Sequence, residues 1–471
     1  MKLKLVVVSM SLLGLVSSPS FSAVNNSYDN HYSKTTHGKM ARSSSEYVDY
    51  KDSSSLPVKP APVDAVCTMS EHSLILDEMT QNVGRALPNP CNPGWFDRLS
   101  ISGGINVDFG KWGNRNTNYM GENYQRLSLN DVYLNIAANV NDWAHAFASI
   151  SYNTATINDP TTAQPNSHVG EYDAAYSNNV TSGASNALQL EQGFITLANF
   201  DASPVFVQIG KQYQDFSRYE IHPITESLTQ VMSKVLATSA KAGFIANGFN
   251  GSVYVFDTPL TRVGHGSQKT NYGASLGVDM PNEQLGWSFG VAYLHNLIGA
   301  NDVAYNVNQF TLANSALNNT GGYSRRVPAA ALYADVNSGP FYVGARYTTS
   351  LRRFNVNDLP RDGIADIDPI SGAPIPGAEG ARPWAFGLTA GYGFTYWCDK
   401  SQNIYAGFQS SGQAAGLNIP RKRLLAAYDI EIWKNTDLMA ELDHDIGYNS
   451  RHGGTGRVTN LISLRAAVKF A

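Results

Sequence analysis

The sequence predicts an all-β protein: a transmembrane antiparallel β-barrel of about 16 strands behind a short, largely disordered N-terminal extension. Three observations predict it. Apolar and polar residues alternate over many segments of roughly ten residues, the length a tilted strand needs to cross a bilayer. The links between those segments alternate between short turns and long loops. Beyond the first residues, no apolar run is long enough for a spanning helix. Charged residues make up only 15% of the chain, below the usual quarter or so. The net charge of −4 argues against a nucleic-acid partner.

The elements follow in chain order. Lys2 and Lys4 precede a short apolar core from Leu5 to Val16, and Ser20-Phe21-Ser22 supplies small residues before Ala23. This is the pattern of an export signal over residues 1–22. Residues 23–96 form a periplasmic extension. Its first part, 23–66, is rich in Ser, Asn, Lys and Tyr and reads as a polar tether. A short helix is expected over Ser70–Val83, with Leu76, Met79 and Val83 on one face and Gly84 as its stop. Cys67 and Cys91 bracket a short segment, and the sequence leaves open whether they form a disulfide. Cys398 is then left over as a thiol in a turn.

The barrel occupies residues 97–471. Alternating segments lie near 98–110, 126–140, 143–153, 187–200, 204–213, 238–248, 250–258, 269–280, 284–296, 325–337, 340–351, 382–397, 402–412, 421–433, 437–447 and 457–470. Short links fall at 139–142, 201–203, 248–250, 280–283, 337–340, 398–401 and 434–437. Long polar stretches fall at 111–125, 154–186, 214–237, 297–324 and 352–381. In outer-membrane barrels the short turns are periplasmic. An even strand count then leaves both termini in the periplasm. Trp143, Trp397 and Trp433 all sit beside short turns, as an interfacial aromatic girdle requires.

The last strand sets the orientation. In "NLISLRAAVKF" (460–470), Ile462, Leu464, Val468 and Phe470 share one parity, and Arg465 and Lys469 the other. A base facing lipid at the midplane costs about 2–4 kcal/mol, so the apolar face meets lipid and the bases line the lumen. The same argument turns Arg346, Arg423, Asp429, Glu431, Glu441 and Asp443 inward. Arg346, Arg423 and Arg465 would then set a field for anionic solutes.

Residues 214–237 are more than a polar loop. Leu228, Val231, Met232 and Val235 recur at helical spacing, with Thr225 as the expected N-cap. The sequence leaves two placements open: the helix folds into the barrel and narrows it, or it packs on neighbouring loops outside. Arg218 and His222 are the loop's candidate constriction residues.

No catalytic site is expected. His444 and Asp445 are adjacent, so on a strand they face opposite sides, and no G-x-S-x-G elbow is present. Asp362, Asp366 and Asp368 lie in one loop but lack the calcium-loop spacing. No metal and no cofactor are expected.

Three stretches carry a family resemblance: "LSISGGINVDFG", "DVYLNIAANVNDWAHAFASISYN" and "VFVQIGKQYQDFSRYEIHPITES". Over residues 96–471 the chain resembles the LbtU-type siderophore porin family. The resemblance implies an outer-membrane barrel that takes up ferric siderophore without a plug-sized globular domain. One feature departs from the family: the segment before the barrel is Ser- and Pro-rich, where the family has coiled-coil character. The resulting expectation is an outer-membrane channel for a bulky solute, with a ferric siderophore first. The alternatives are a general diffusion porin with weak charge selectivity and a loop-mediated adhesion or surface protein. Outer-membrane lipid, lipopolysaccharide, the barrel-assembly machinery and a homo-oligomer are the expected partners.

Overall fold

A computed structural model describes residues 99–113, 124–153, 187–218, 224–264, 270–280, 284–313, 322–368, 373–396 and 400–470, with residues 282, 370 and 371. The expected export signal, tether and first helix lie outside the described residues, as do Cys67, Cys91, Cys398, Trp397 and His222.

Sixteen strands form: β1 (Leu99–Gly113), β2 (Tyr124–Asn141), β3 (Ala144–Asn153), β4 (Ala187–Ala198), β5 (Val205–Tyr213), β6 (Leu236–Ala246), β7 (Phe249–Asp257), β8 (Thr270–Met280), β9 (Gly286–Leu294), β10 (Ala329–Ser338), β11 (Phe341–Ser350), β12 (Trp384–Tyr396), β13 (Lys400–Gly412), β14 (Lys422–Trp433), β15 (Thr436–Ile446) and β16 (Val458–Phe470). Each pairs with its sequence neighbours, and β16 pairs antiparallel with β1, closing the barrel. Closure removes the free edges that an open sheet would expose. Among the described residues, two α-helices lie between strands: α1 (Leu228–Ser233) and α2 (Asn301–Ala313).

The alternation in the sequence becomes two faces. On β16, Ile462, Leu464, Val468 and Phe470 are exposed on the outside, while Ser463, Arg465 and Ala467 are buried. Val253, Leu276, Phe289, Leu388, Ile404 and Leu442 continue the exposed apolar belt on other strands. Such a belt costs about 25 cal/mol per Å² in water, so the barrel wall requires lipid around it. At the short-turn end the belt is edged by Trp143, Phe249, Trp287, Phe341, Trp433 and Phe470, all exposed. The girdle therefore includes Trp287, which the sequence reading did not assign to it.

Local chemistry explains the hairpins. Asn247 and Gly248 both take positive φ, 50° and 81°, as a two-residue turn matched to strand twist demands. Asn141 holds the β2–β3 turn by accepting from the backbone of Trp143 and Ala144, both at 2.9 Å. Inside the barrel, tyrosines cover glycines. A Cβ on Gly290 would lie 2.3 Å from the Tyr333 ring, so only Gly leaves room for that ring to lie flat on the wall.

Two expectations about helices change. The cap of α1 is Ser227, whose side chain accepts from the Gln230 amide, and not Thr225; the helix ends at Ser233, before Val235. The stretch 297–324, expected to be polar loop, contains α2. Its described side chains are mostly buried, including Asn306 and Asn308. A helix buried on several sides needs no apolar stripe, which is why periodicity missed it.

Candidate functional site

The link between β5 and β6 descends into the lumen and crosses it. Asp215 accepts from Lys241 on β6 at 2.9 Å and from Ser252 on β7 at 2.5 Å. Arg218 then meets Asp279 on β8 through two hydrogen bonds of 2.7 Å and lies 4.5 Å over the Tyr333 ring. On the far side, Glu441 of β15 accepts from the backbone of Ile224 at 3.1 Å and of Thr225 at 3.0 Å. The Thr225 hydroxyl donates to the same carboxylate. Leu228 N–H donates to Gln409 of β13 at 2.8 Å, and Arg423 of β14 donates to the Glu226 carbonyl at 3.0 Å. Strands β13–β15 lie half a circumference from β5 and β6 in the closed order. Residues 215–218 and 224–228 of the segment are therefore tied to opposite walls of the barrel.

The helix of this loop contacts the barrel strands and another loop's helix as well. Helix α1 packs against β11, β12 and β13, so it lies within the wall. It also packs on α2. Phe216, Leu228, Met232 and Val235 share one apolar cluster with Leu297, Val303, Val307, Phe354, Leu359 and Leu417. With Leu260 of the β7–β8 link, loops from five hairpins thus build a common core. A Lys234–Glu226 ion pair of 2.6 Å closes the segment on itself.

The three arginines expected to set an anion field are each paired with a carboxylate. Arg423 forms two hydrogen bonds with Asp445, at 2.8 and 2.7 Å, and both side chains are 1% exposed. Arg465 binds Asp108 on β1 twice at 2.7 Å. Arg346 pairs with Asp335 at 2.7 Å, and Lys469 pairs with Asp437. A base in a bidentate pair with a carboxylate presents little net field to a passing solute. The acids on the same wall outnumber the bases: Asp429, Glu441 and Asp443 are buried beside the paired Asp445. Asp429 accepts from Asn403 at 3.3 Å. Glu431 accepts from the Asn435 backbone at 3.0 Å and so braces the short turn. Asp443 accepts from the Thr225 hydroxyl at 3.2 Å. The signal for the missed partners was present in the alternation: Asp108 and Asp445 share parity with the polar face, but no sequence pattern pairs residues 357 positions apart.

Arg218 reaches the β8–β9 wall through Asp279 and Ser288. The remaining candidates resolve simply. His444 is exposed on the outside and Asp445 is buried inside. Asp362 is approached by His452 at 2.8 Å, Asp366 accepts from the Asp362 backbone at 2.9 Å, and Asp368 accepts from Ser371 at 2.6 Å. Among the described residues, no three His, Cys, Asp or Glu side chains converge on a metal-sized site.

A closed antiparallel barrel with an apolar exterior and a polar interior defines a porin-like outer-membrane protein. Among the described residues no helix is long and apolar enough to cross a membrane. No family model matches the chain. It is 24% identical over 411 residues to a UPF0422 protein of Legionella pneumophila strain Lens, covering 83% of this chain and 68% of that one. It is 26% identical over 271 residues to a UPF0422 protein of Coxiella burnetii, covering 57% of this chain. That match spans 53% of the Coxiella protein, about half its length. Among solved structures it is similar to an anion-selective porin from Comamonas acidovorans, with a TM-score of 0.48 and 10% identity, over 79% of this chain and 99% of that one. It is also similar to Salmonella typhi OmpF in complex with daunomycin, with a TM-score of 0.49 and 11% identity, over 79% and 97%.

Proposed function

We propose that this protein is an outer-membrane channel that admits a bulky solute through the barrel lumen, with the 214–235 segment acting as a filter. The observation that carries this is the anchoring of Ile224 and Thr225 on Glu441, across the lumen from the strands that launch the segment. A segment tied to the wall at several points narrows the passage and sets the groups a solute must pass. The resemblance to siderophore porins makes a ferric siderophore the first cargo to try. In this reading the short turns and both chain termini face the periplasm, and the outer leaflet supplies lipopolysaccharide around the long-loop end.

The test is single-channel recording of the refolded full chain in a planar bilayer, with ferric siderophore then added. Discrete conductance with concentration-dependent blockade is the expected result. Steady conductance indifferent to siderophore would remove the cargo assignment, and absence of any conductance would remove the channel.

A further inference from the structure

Among the described residues, few charged side chains stand on the outer face of the strands, and one sector gathers them. On β14, β15, β16 and β1, consecutive around the closed ring, Lys422, His444, Asn460 and Lys111 point outward and are exposed. Each shares the parity of a lipid-facing neighbour two residues nearer the short turns: Leu424, Leu442, Ile462 and Phe109. His444 stands opposite Asn460, with its Nδ1 2.8 Å from the Asn460 Oδ1. Lys422 is diagonal to His444, and Lys111 is diagonal to Asn460. Long side chains on one face meet at that spacing. The four residues therefore form one polar strip above the apolar belt.

The strip lies at a definite height. Phe470 marks the short-turn girdle and pairs with Gly103, and Lys111 is eight residues further along β1. His444 is likewise eight residues from Thr436, where β15 leaves its short turn. Eight residues advance roughly 26 Å along a strand, or roughly 20 Å along the bilayer normal at a tilt of about 40°. The apolar band of such barrels is about 25 Å tall. The strip thus sits where hydrocarbon gives way to headgroups. From there a lysine stem reaches upward and its charge costs little.

Other sectors fill this height differently. On β8, Tyr272 is eight residues from Met280 at the short turn, and its ring stacks on His295 at 4.4 Å. That is an aromatic anchor, which needs no charged partner. Two further outward charges stand apart from the strip. Lys211 on β5 gives its Nζ to the Leu190 carbonyl at 2.9 Å, and Asp257 on β7 faces Thr270. Neither Lys111 nor Lys422 is paired with a described carboxylate. No described carboxylate stands on the outer face of β14–β16 or β1. Two cations joined by hydrogen-bonding groups, directly above an apolar wall, match a partner with acyl chains below and phosphate above.

We propose that the outer face of β14–β16 and β1 is a docking surface for a phosphorylated lipid of the outer leaflet. Its phosphates meet Lys111 and Lys422, and its chains lie on the belt beneath. This goes beyond the channel reading and rests on it only for setting the long-loop end in the outer leaflet.

The experiment is titration of the refolded full chain in detergent micelles with bisphosphorylated lipid A, read by native mass spectrometry. Saturable retention is expected. The fully dephosphorylated lipid should be retained at least tenfold more weakly, and inorganic phosphate at equal concentration should not displace lipid A. A base near an anionic surface contributes about fivefold in affinity, so Lys111→Gln combined with Lys422→Gln should weaken retention about tenfold or more. Lys211→Gln removes an outward base from another sector and should leave retention unchanged. The double variant changes only exposed side chains, so its unfolding midpoint should match the wild type, which separates lost docking from lost folding. Equal retention of the dephosphorylated lipid, displacement by inorganic phosphate, an unaffected double variant, or an equal loss in Lys211→Gln would overturn the proposal. A lipid-free oligomer that the double variant dissolves would also overturn it, because the face would then join copies of this chain. Conductance is read separately. A chain that conducts but does not retain lipid A keeps the channel and loses this surface, and retention without conductance does the reverse.

Discussion

At the scale of single residues, the lumen is governed by matched charge. The alternation of β14 and β16 correctly turns Arg423 and Arg465 inward, because a base on the lipid face is too costly. What parity cannot supply is the partner. Arg465 pairs with Asp108, which belongs to the first strand of a ring whose last strand carries Arg465. Barrel closure makes that pair, and closure is invisible in a local pattern. The long loops hold a further residue-level consequence. Burial pushes the Asp358 carboxyl up from 3.8 to about 6, against the opposing hydrogen bonds from Ser324 and Arg325. The folded loop therefore keeps a proton that the unfolded chain has lost, so stability falls as pH rises from about 4 to about 6 and is level above that. Proteolysis of residues 351–383 should be slower near pH 5 than at about pH 7.5, and Asp358→Asn should shrink the difference. Equal rates for the wild type at both pH values would contradict this placement of Asp358.

Among elements, the strands were the most legible part of the chain, because period two with a lipid face on one side admits one reading. The ends moved by up to four residues: β6 runs 236–246 where 238–248 was expected, and β10 starts at 329 where 325 was expected. The helices were less legible for opposite reasons. Helix α1 has an apolar face, so its presence showed in the sequence, but its cap did not, since Thr225 and Ser227 are both good cap residues. Glu441 recruits Thr225 for a tertiary contact and leaves the cap to Ser227. The described side chains of helix α2, residues 301–308, are almost all buried, so the sequence there carries no apolar stripe. The strands also depend on close packing at the wall. Gly290→Ala would drive a Cβ into Tyr333, with an overpacking cost of about 1–3 kcal/mol. Urea unfolding in micelles should show that loss, and Tyr333→Ala in the same chain should recover part of it. A Gly290→Ala barrel as stable as the wild type would show that the ring is free to move aside.

For the whole molecule, the barrel is a wall, and the function lies in what crosses it. The outer belt and girdle place the ring in lipid, the hairpin loops build one apolar core toward the long-loop end, and the 214–235 segment threads from β5 to the β13–β15 wall. The sequence made this segment conspicuous, yet it left its path open, because the anchors Gln409, Glu441 and Arg423 lie some two hundred residues away, with a separation of 217 for Ile224 and Glu441. The central claim is that this tether limits passage. Its most direct test is single-channel conductance of the wild type against a chain carrying Thr225→Val, Gln409→Ala and Glu441→Ala, which removes two of the three anchors and leaves Arg423 with its partner Asp445. The account expects conductance to rise, roughly doubling as the segment swings from the lumen. Identical conductance in the two chains would contradict it.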